Sequence, residues 1–266
     1  MTARHAERGL ALVSVLWGVA ILSVIAAAMV TASLTTAYVG RNVWNAARGA
    51  TLDEAAINRT ILALMDGRPG RQPRADGIAS TLHFDGAPVR VWVQDESGRI
   101  NINFADEETL KSLFQSAGLE RDAAAALSEH VIAARRPANL QPTNTASIAF
   151  RTADALLAMP GMTTDLYGRI APLITVYGRN GTVNTGVAPR AVLLALPGAT
   201  ASDVADTLRQ REAARAANPP AAALATANAT FMIAAESQVD GARAVRVAVV
   251  QFTGDERKPY WLLFWQ

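Results

Sequence analysis

The chain contains no cysteine. Disulfide staples, thiolate metal sites and cysteine nucleophiles are therefore excluded. Histidine is scarce, and His5, His83 and His130 share no metal-like spacing. There is no G-x-S-x-G, no phosphate loop and no H-E-x-x-H, so no catalytic constellation emerges and no enzymatic activity is expected. Charged residues make up 18% of the chain and nearly cancel, leaving a net charge of +2. Such a balance gives no electrostatic footing for nucleic acid, which needs concentrated positive charge.

Charge is missing altogether between Arg8 and Arg41. The stretch RGLALVSVLWGVAILSVIAAAMV, Arg8 to Val30, is long enough to cross a bilayer core, which takes about 20 apolar residues as a helix. A secretory signal carries a shorter apolar region, roughly 7–15 residues, before its cut site. By length alone this run is a retained single-pass membrane segment. Arg4 and Arg8 precede it, which orients the leader to the cytoplasm and the bulk of the chain to the other side. Trp17 falls inside the run, facing lipid or a neighbouring subunit. Trp44 follows Tyr38 and Arg41, where interfacial aromatic rings commonly sit.

Beyond the run, residues 41–65 carry Val43, Ala47, Ala50, Ala55, Ile57, Ile61, Leu62 and Met65 at a spacing that predicts one buried helical face. DGRPGRQPRADG then ends the helix with glycine and proline. IASTLHFDG and PVRVWVQDE read as strands, the second with Val89, Val91 and Val93 on one face and Asp85-Gly86 as the turn between them. TFMIAAESQVDG, ARAVRVAVVQFTGDERK and YWLLFWQ read as three more, with turns at Asp240-Gly241 and Gly254-Asp255. In the last strand, alternation puts Trp261, Leu263 and Trp265 on one face, expected to be core. A long helix laid across an antiparallel sheet is an α+β arrangement.

The sheet is interrupted by a helical segment, about residues 97–217, with internal echoes. GRININFADEETLKSLF at Gly98 is similar to GTVNTGVAPRAVLLAL at Gly181. LLAMPGMTTDLYGRI at Leu156 is similar to LLALPGATASDVADTL at Leu193. Each member of the second pair is a helix, a Pro-Gly turn and another helix. Helix-hairpin-helix modules bind DNA by offering hairpin amides to a phosphate, usually with a second glycine after the turn. Thr163 and Thr200 stand there instead, and only Arg169, Arg190 and Arg209 are near.

Gly9 stands between the charged leader and the apolar run. ERG-LALVSVLW resembles the prepilin leader of type IV pilins and type II secretion pseudopilins. The resemblance implies peptidase cleavage between Gly9 and Leu10, methylation of the new amine, and a retained helix that packs in a filament. Most of that family has glutamate as the fifth residue of the mature chain; here it is Ser14. The departure is typical of the K-type minor pseudopilins (GspK-like). VWVQDESGRININFAD, LLAMPGM with LYGRIAPLITVYG, and VNTGVAPRAVLLALPG are similar to that family's recognisable stretches, so the likeness spans nearly the whole chain. It implies a pilin-like α+β fold, a long N-terminal helix on an antiparallel sheet, with an inserted all-α domain of SAM-like or helix-hairpin-helix type. The expected divisions are leader 1–9, membrane and assembly helix 10–34, first pilin-like part 35–96, helical insert 97–217 and closing strands 218–266. It implies a place in the inner membrane with the bulk periplasmic and, once assembled, at the pseudopilus tip. The partners would be I-, J- and H-type minor pseudopilins, the major pseudopilin and the prepilin peptidase, with no nucleic acid. The rival function is a membrane-anchored DNA-binding protein of an uptake system, motivated by the Pro-Gly hairpins. No cofactor is required. Calcium is admitted, with Asp95, Glu96 and Asp106 as ligands, but Asp106 with Glu107 and Glu108 equally makes an ordinary acidic first turn of a helix.

Overall fold

No proline falls between Arg4 and Met65, and α1 runs unbroken over that whole span of 62 residues, about 90 Å at 1.5 Å per residue. The computed structural model describes residues 4–66, 72–84, 86–135, 150–178, 180–217 and 227–266, with backbone alone for 4–11 and 32–36. Within α1, Leu12–Thr31 is apolar, long enough to span a bilayer and wholly unburied. Its hydroxyls turn inward. Ser23 donates to the Val19 carbonyl at 2.8 Å and Thr31 to the Ala27 carbonyl at 3.0 Å, which satisfies them without water.

The far part of α1 lies across a five-stranded antiparallel sheet of order β1-β2-β5-β6-β7. These strands are Ser80–Phe84 (β1), Ala87–Asp95 (β2), Thr230–Val239 (β5), Ala242–Phe252 (β6) and Tyr260–Trp265 (β7). Val89, Val91 and Val93 are buried against Ile57, Ile61 and Leu64 of the helix, as their alternation predicts. Asp240 and Gly241 both take positive φ, which closes the β5–β6 hairpin as Asp-Gly turns do. Asp85 lies outside the described residues. Helix and sheet together form the expected pilin-like α+β arrangement.

The helix face that meets the sheet coincides with the one the apolar spacing marks at Ile57 and Ile61 but departs from it elsewhere. Val43 and Leu62 are exposed. The buried stripe runs through Asn45, Gly49, Asp53, Ala56, Ile57, Thr60, Ile61 and Leu64. Its polar and small members are there because backbone and sheet come close. A Cβ on Gly49 would meet Ala244 Cβ at 2.9 Å and Ser237 Oγ at 3.0 Å. The Ser237 hydroxyl donates to the Gly49 carbonyl at 3.0 Å. Asp53 is fully buried beside this contact, and neither of its carboxyl oxygens has a hydrogen-bond partner among the described residues. Burial pushes its carboxyl up to about 6, against the pull of Ser237 and Arg246.

The last strand also departs from expectation. A bulge in the β6–β7 pairing pairs Val249 with Phe264 but Val250 with Leu262, so Leu263 is the extra residue. Simple alternation fails across it. Trp261 pairs with Gln251 on the outer face, while Trp265 pairs with Ala248 on the helix side. None of the three forms core: Trp261, Leu263 and Trp265 are 50%, 43% and 38% exposed. β7 is an edge strand, and α1 lies over its inner neighbours β5 and β6.

Neighbouring strands β2 and β5 are separated in sequence by the helical unit, which has a core of its own built on Ile100, Leu113, Phe114, Leu127, Leu156 and Ile170. Its elements are Ile100–Asn101 (β3), Glu107–Ser116 (α2), Arg121–Ala134 (α3), Thr164–Ile170 (α4), Ile174–Thr175 (β4), Arg190–Leu194 (α5) and Ala201–Ala217 (α6). In addition to helices it holds the short parallel ladder β3–β4. The first echo is a true structural repeat. The Asn101 side chain accepts from the Asn103 amide at 2.9 Å, and Asn184 from the Gly186 amide at 3.0 Å. The Asn101 carbonyl accepts from Ala105, and the Asn184 carbonyl from Ala188. The two copies pack on each other through their glycines. A Cβ on Gly98 would meet the Val187 carbonyl at 2.8 Å, and one on Gly181 the Phe104 carbonyl at 2.4 Å.

The Asp53 carboxyl holds its proton more tightly in the folded chain than in the unfolded one. Between about pH 4 and 6 the folded state therefore binds more protons, so stability falls progressively as pH rises across that window and the full cost of Asp53 is present above about 6. Asp53→Asn is expected to stabilise the full chain in detergent by about 1–3 kcal/mol at pH 7.5, with the gain vanishing near pH 4. Denaturant titrations at both pH values measure this; a destabilisation equal at both would contradict it.

Candidate assembly surface

Three regions concern function: the N-terminal helix, the acidic residues of the insert's entry, and the Pro-Gly hairpins. Gly9 and Leu10 lie within the α1 backbone. Their side chains, with those of Arg4, His5 and Arg8, fall outside the described ones. Ser14 is exposed on the span, as is Trp17. Trp44 lies about 20 Å along the helix past Thr31 and is 70% exposed. Tyr38, about 10 Å past Thr31, is exposed as well.

The proposed calcium ligands do not converge. Asp95 and Glu96 line a cavity of about 450 Å³ with Asn101, Asn184 and Thr230. Asp106 lines a different one beside Phe104 and Gly181. Each carboxylate is already engaged. Asp95 caps a short 3-10 turn, accepting from the Ser97 amide at 2.9 Å. Asp106 caps α2, accepting from the Thr109 amide at 2.7 Å, and Thr109 holds its carboxyl below the usual range. Glu96 is buried, which pushes its carboxyl up, and the Arg99 guanidinium lies 3.3 Å away in opposition. A guanidinium already occupies the place of a cation there. No group of three His, Asp or Glu side chains among the described residues could hold a metal ion. These residues, as arranged, do not fit calcium.

The Pro-Gly hairpins each lead into a threonine-capped helix. Gly161 and Gly198 take positive φ in their turns. The next helix is then capped by a threonine. The Thr163 hydroxyl accepts from the Leu166 amide at 3.1 Å, and that of Thr200 from Asp203 at 3.2 Å. One amide at the start of each following helix is thus already taken by the chain's own threonine. Arginine is committed in the same way. Arg169 donates to the Ala117 carbonyl at 2.7 Å, Arg135 to Ile102 and Ala105, and Arg211 to Ala188 at 2.8 Å. Arg209 pairs with Asp206. Arg169, Arg135 and Arg211 tie neighbouring segments together, the Arg209 pair lies within α6, and Arg190 is exposed.

Sequence reasoning missed the seam between the helical unit and the sheet. Arg74 bridges Asp76 at 2.7 Å and Glu212 of α6 at 2.5 Å, and Arg215 reaches Asp76 at 3.2 Å. Burial alone would raise the Asp76 carboxyl. Arg74, the Ile78 amide and Arg215 outweigh it and hold it below its ordinary value. Gln94 of β2 adds a bond to the Val187 carbonyl at 3.3 Å. The partners across the seam lie 93 to 139 positions apart, so no local pattern signals them.

No family model and no curated protein matches the chain. Among solved structures, one chain of the crystal structure of the GspK-GspI-GspJ complex from the enterotoxigenic Escherichia coli type 2 secretion system is similar. Its TM-score is 0.49 at 12% identity, over 88% of this chain and 98% of that one.

Millimolar calcium is expected to leave the melting temperature of the purified chain unchanged, because Arg99 already neutralises Glu96. A rise of several degrees, abolished by Asp95→Asn, would show the ion entering the 450 Å³ cavity after all.

Proposed function

We propose that this chain is a minor pseudopilin of a type II secretion system, of the K type, working by assembly rather than by catalysis. The observation that carries the reading is the division of one unbroken helix. Leu12–Thr31 is apolar and unsheltered by its own chain, while residues beyond Asn45 are held on a sheet. A helix of that design needs lipid, or the helices of other subunits, around its first half. Gly9, directly before the apolar run, supports processing by a prepilin peptidase.

Assembly begins in the inner membrane, with the leader cytoplasmic and the folded bulk periplasmic. Cleavage after Gly9 frees the Leu10 amine for methylation. The helix then packs with those of I-, J- and H-type minor pseudopilins and, below them, the major pseudopilin. Ser14 replaces the family's glutamate, so this subunit makes no buried carboxylate-to-amine pair through that position. A subunit that needs no such partner suits the first place in a filament. The helical unit between β2 and β5 supports the same place, since an insert with its own core is hard to repeat at the close spacing of a filament shaft. The account requires no cofactor and no nucleic acid.

Co-expression with a prepilin peptidase, followed by mass spectrometry of the intact chain, tests the reading. The expected product begins at Leu10 and carries a methylated amine. A leader left intact where a control prepilin is processed would overturn it.

A further inference from the structure

The helix side of the sheet is wider than the helix that covers it. α1 lies over β5 and β6. Packed helices stand about 8–10 Å apart. β7 lies one and a half strand spacings, about 7 Å, from the line between β5 and β6, so a helix packed beside α1 would stand over the outer side of β7, where the described residues leave the helix side of the sheet partly exposed. Leu262 and Trp265, which share the faces of core residues Val250 and Ala248, are 52% and 38% exposed. Below them on the same face stands Arg246, paired with the buried Ala235. Arg246 makes no hydrogen bond or ion pair among the described residues, and its charge is felt by the Asp53 carboxyl of α1.

We infer that this shelf seats one α-helix of a different pilin-like chain, parallel to α1, bearing an acidic residue followed four and eight residues later by apolar ones; the inference rests on the function proposed above. The spacing fixes the pattern. Arg246, Trp265 and Leu262 stand at the levels of residues 246, 248 and 250 of β6, about 6.6 Å apart. Four residues of helix rise about 6 Å. β6 runs parallel to α1, since Ala244 faces Gly49 and the strand's far end pairs with β5 where Phe231 and Leu64 share a cavity. The acid therefore comes first. α1 already meets the other flank of Arg246 with this pattern, in Asp53, Ile57 and Ile61.

The other occupants fit less well. In a second copy, Asp53, Ile57 and Ile61 are buried on its own sheet, and its exposed series Glu54, Asn58, Leu62 would set an amide on Trp265. An added strand meets the bulge at Leu263, which distorts the edge. The bilayer is remote, because Gly49, at the level of Ala244, already stands about 27 Å past Thr31.

The absence of cysteine gives a clean background for the test. The full chain carrying Leu262→Cys or Trp265→Cys is co-expressed with I- and J-type minor pseudopilins bearing single cysteines scanned along their extramembrane helices. Disulfide yield is expected to peak every three to four residues on one partner, at its acid-apolar-apolar face. Arg246→Glu is expected to cut co-purification about tenfold, and lysine at the partner's acid to restore it. A two-residue period, crosslinks only between copies of this chain, or co-purification without crosslinks would overturn the inference while leaving the proposed function intact. No co-purification together with an uncleaved leader would overturn both.

Discussion

The close approach of α1 to the β5–β6 hairpin is the contact on which the molecule depends. Gly49 leaves no side chain between the helix backbone and Ala244, and the Ser237 hydroxyl fastens the gap by donating to the Gly49 carbonyl. From that point outward, Ile57, Ile61 and Leu64 descend onto Val89, Val91, Val93 and Ile233. The contact orients the helix along the strands and so fixes the direction in which the apolar half leaves the domain. It also confines Asp53 where its charge is unwelcome, a local cost that a purely apolar seam would avoid.

The helical unit hangs from the same sheet without sharing its core. Its entry and exit lie at adjacent strands, β2 and β5, so it is inserted without breaking the ladder between them. Two copies of one short motif, around Asn101 and Asn184, interlock glycine against backbone and close the unit on itself. Arginines that might face a polyanion instead bind carbonyls of neighbouring loops. The unit is therefore a self-contained mass clamped to the sheet by the Arg74–Asp76–Glu212–Arg215 network.

Much of this was legible in sequence because it is local. The alternation of Val89, Val91 and Val93, the Asp240-Gly241 turn and the two glycine-led echoes all depend on nearby residues. The face of α1 was legible only in part, because close packing selects small and polar residues such as Gly49, Ser237 and Asn45, which an apolar pattern overlooks. The fate of Trp261 and Trp265 was not legible either. One extra residue in the strand reverses the alternation, and edge position, a property of topology, leaves both faces open. The acidic residues near Asp95 looked like ligands by composition, but their caps and the Arg99 pair are set by tertiary placement.

An extended helix that is apolar and uncovered in its first part and domain core in its second must change character along its length. Amide hydrogen exchange on the full chain in detergent micelles tests this most directly. The account predicts that residues 49–64 of α1 exchange together with β5 and β6, through one shared opening, while residues 37–44 exchange independently and faster. Exchange of residues 49–64 at a rate unrelated to that of the sheet would contradict it, because the helix would then not be held by the seam at Gly49.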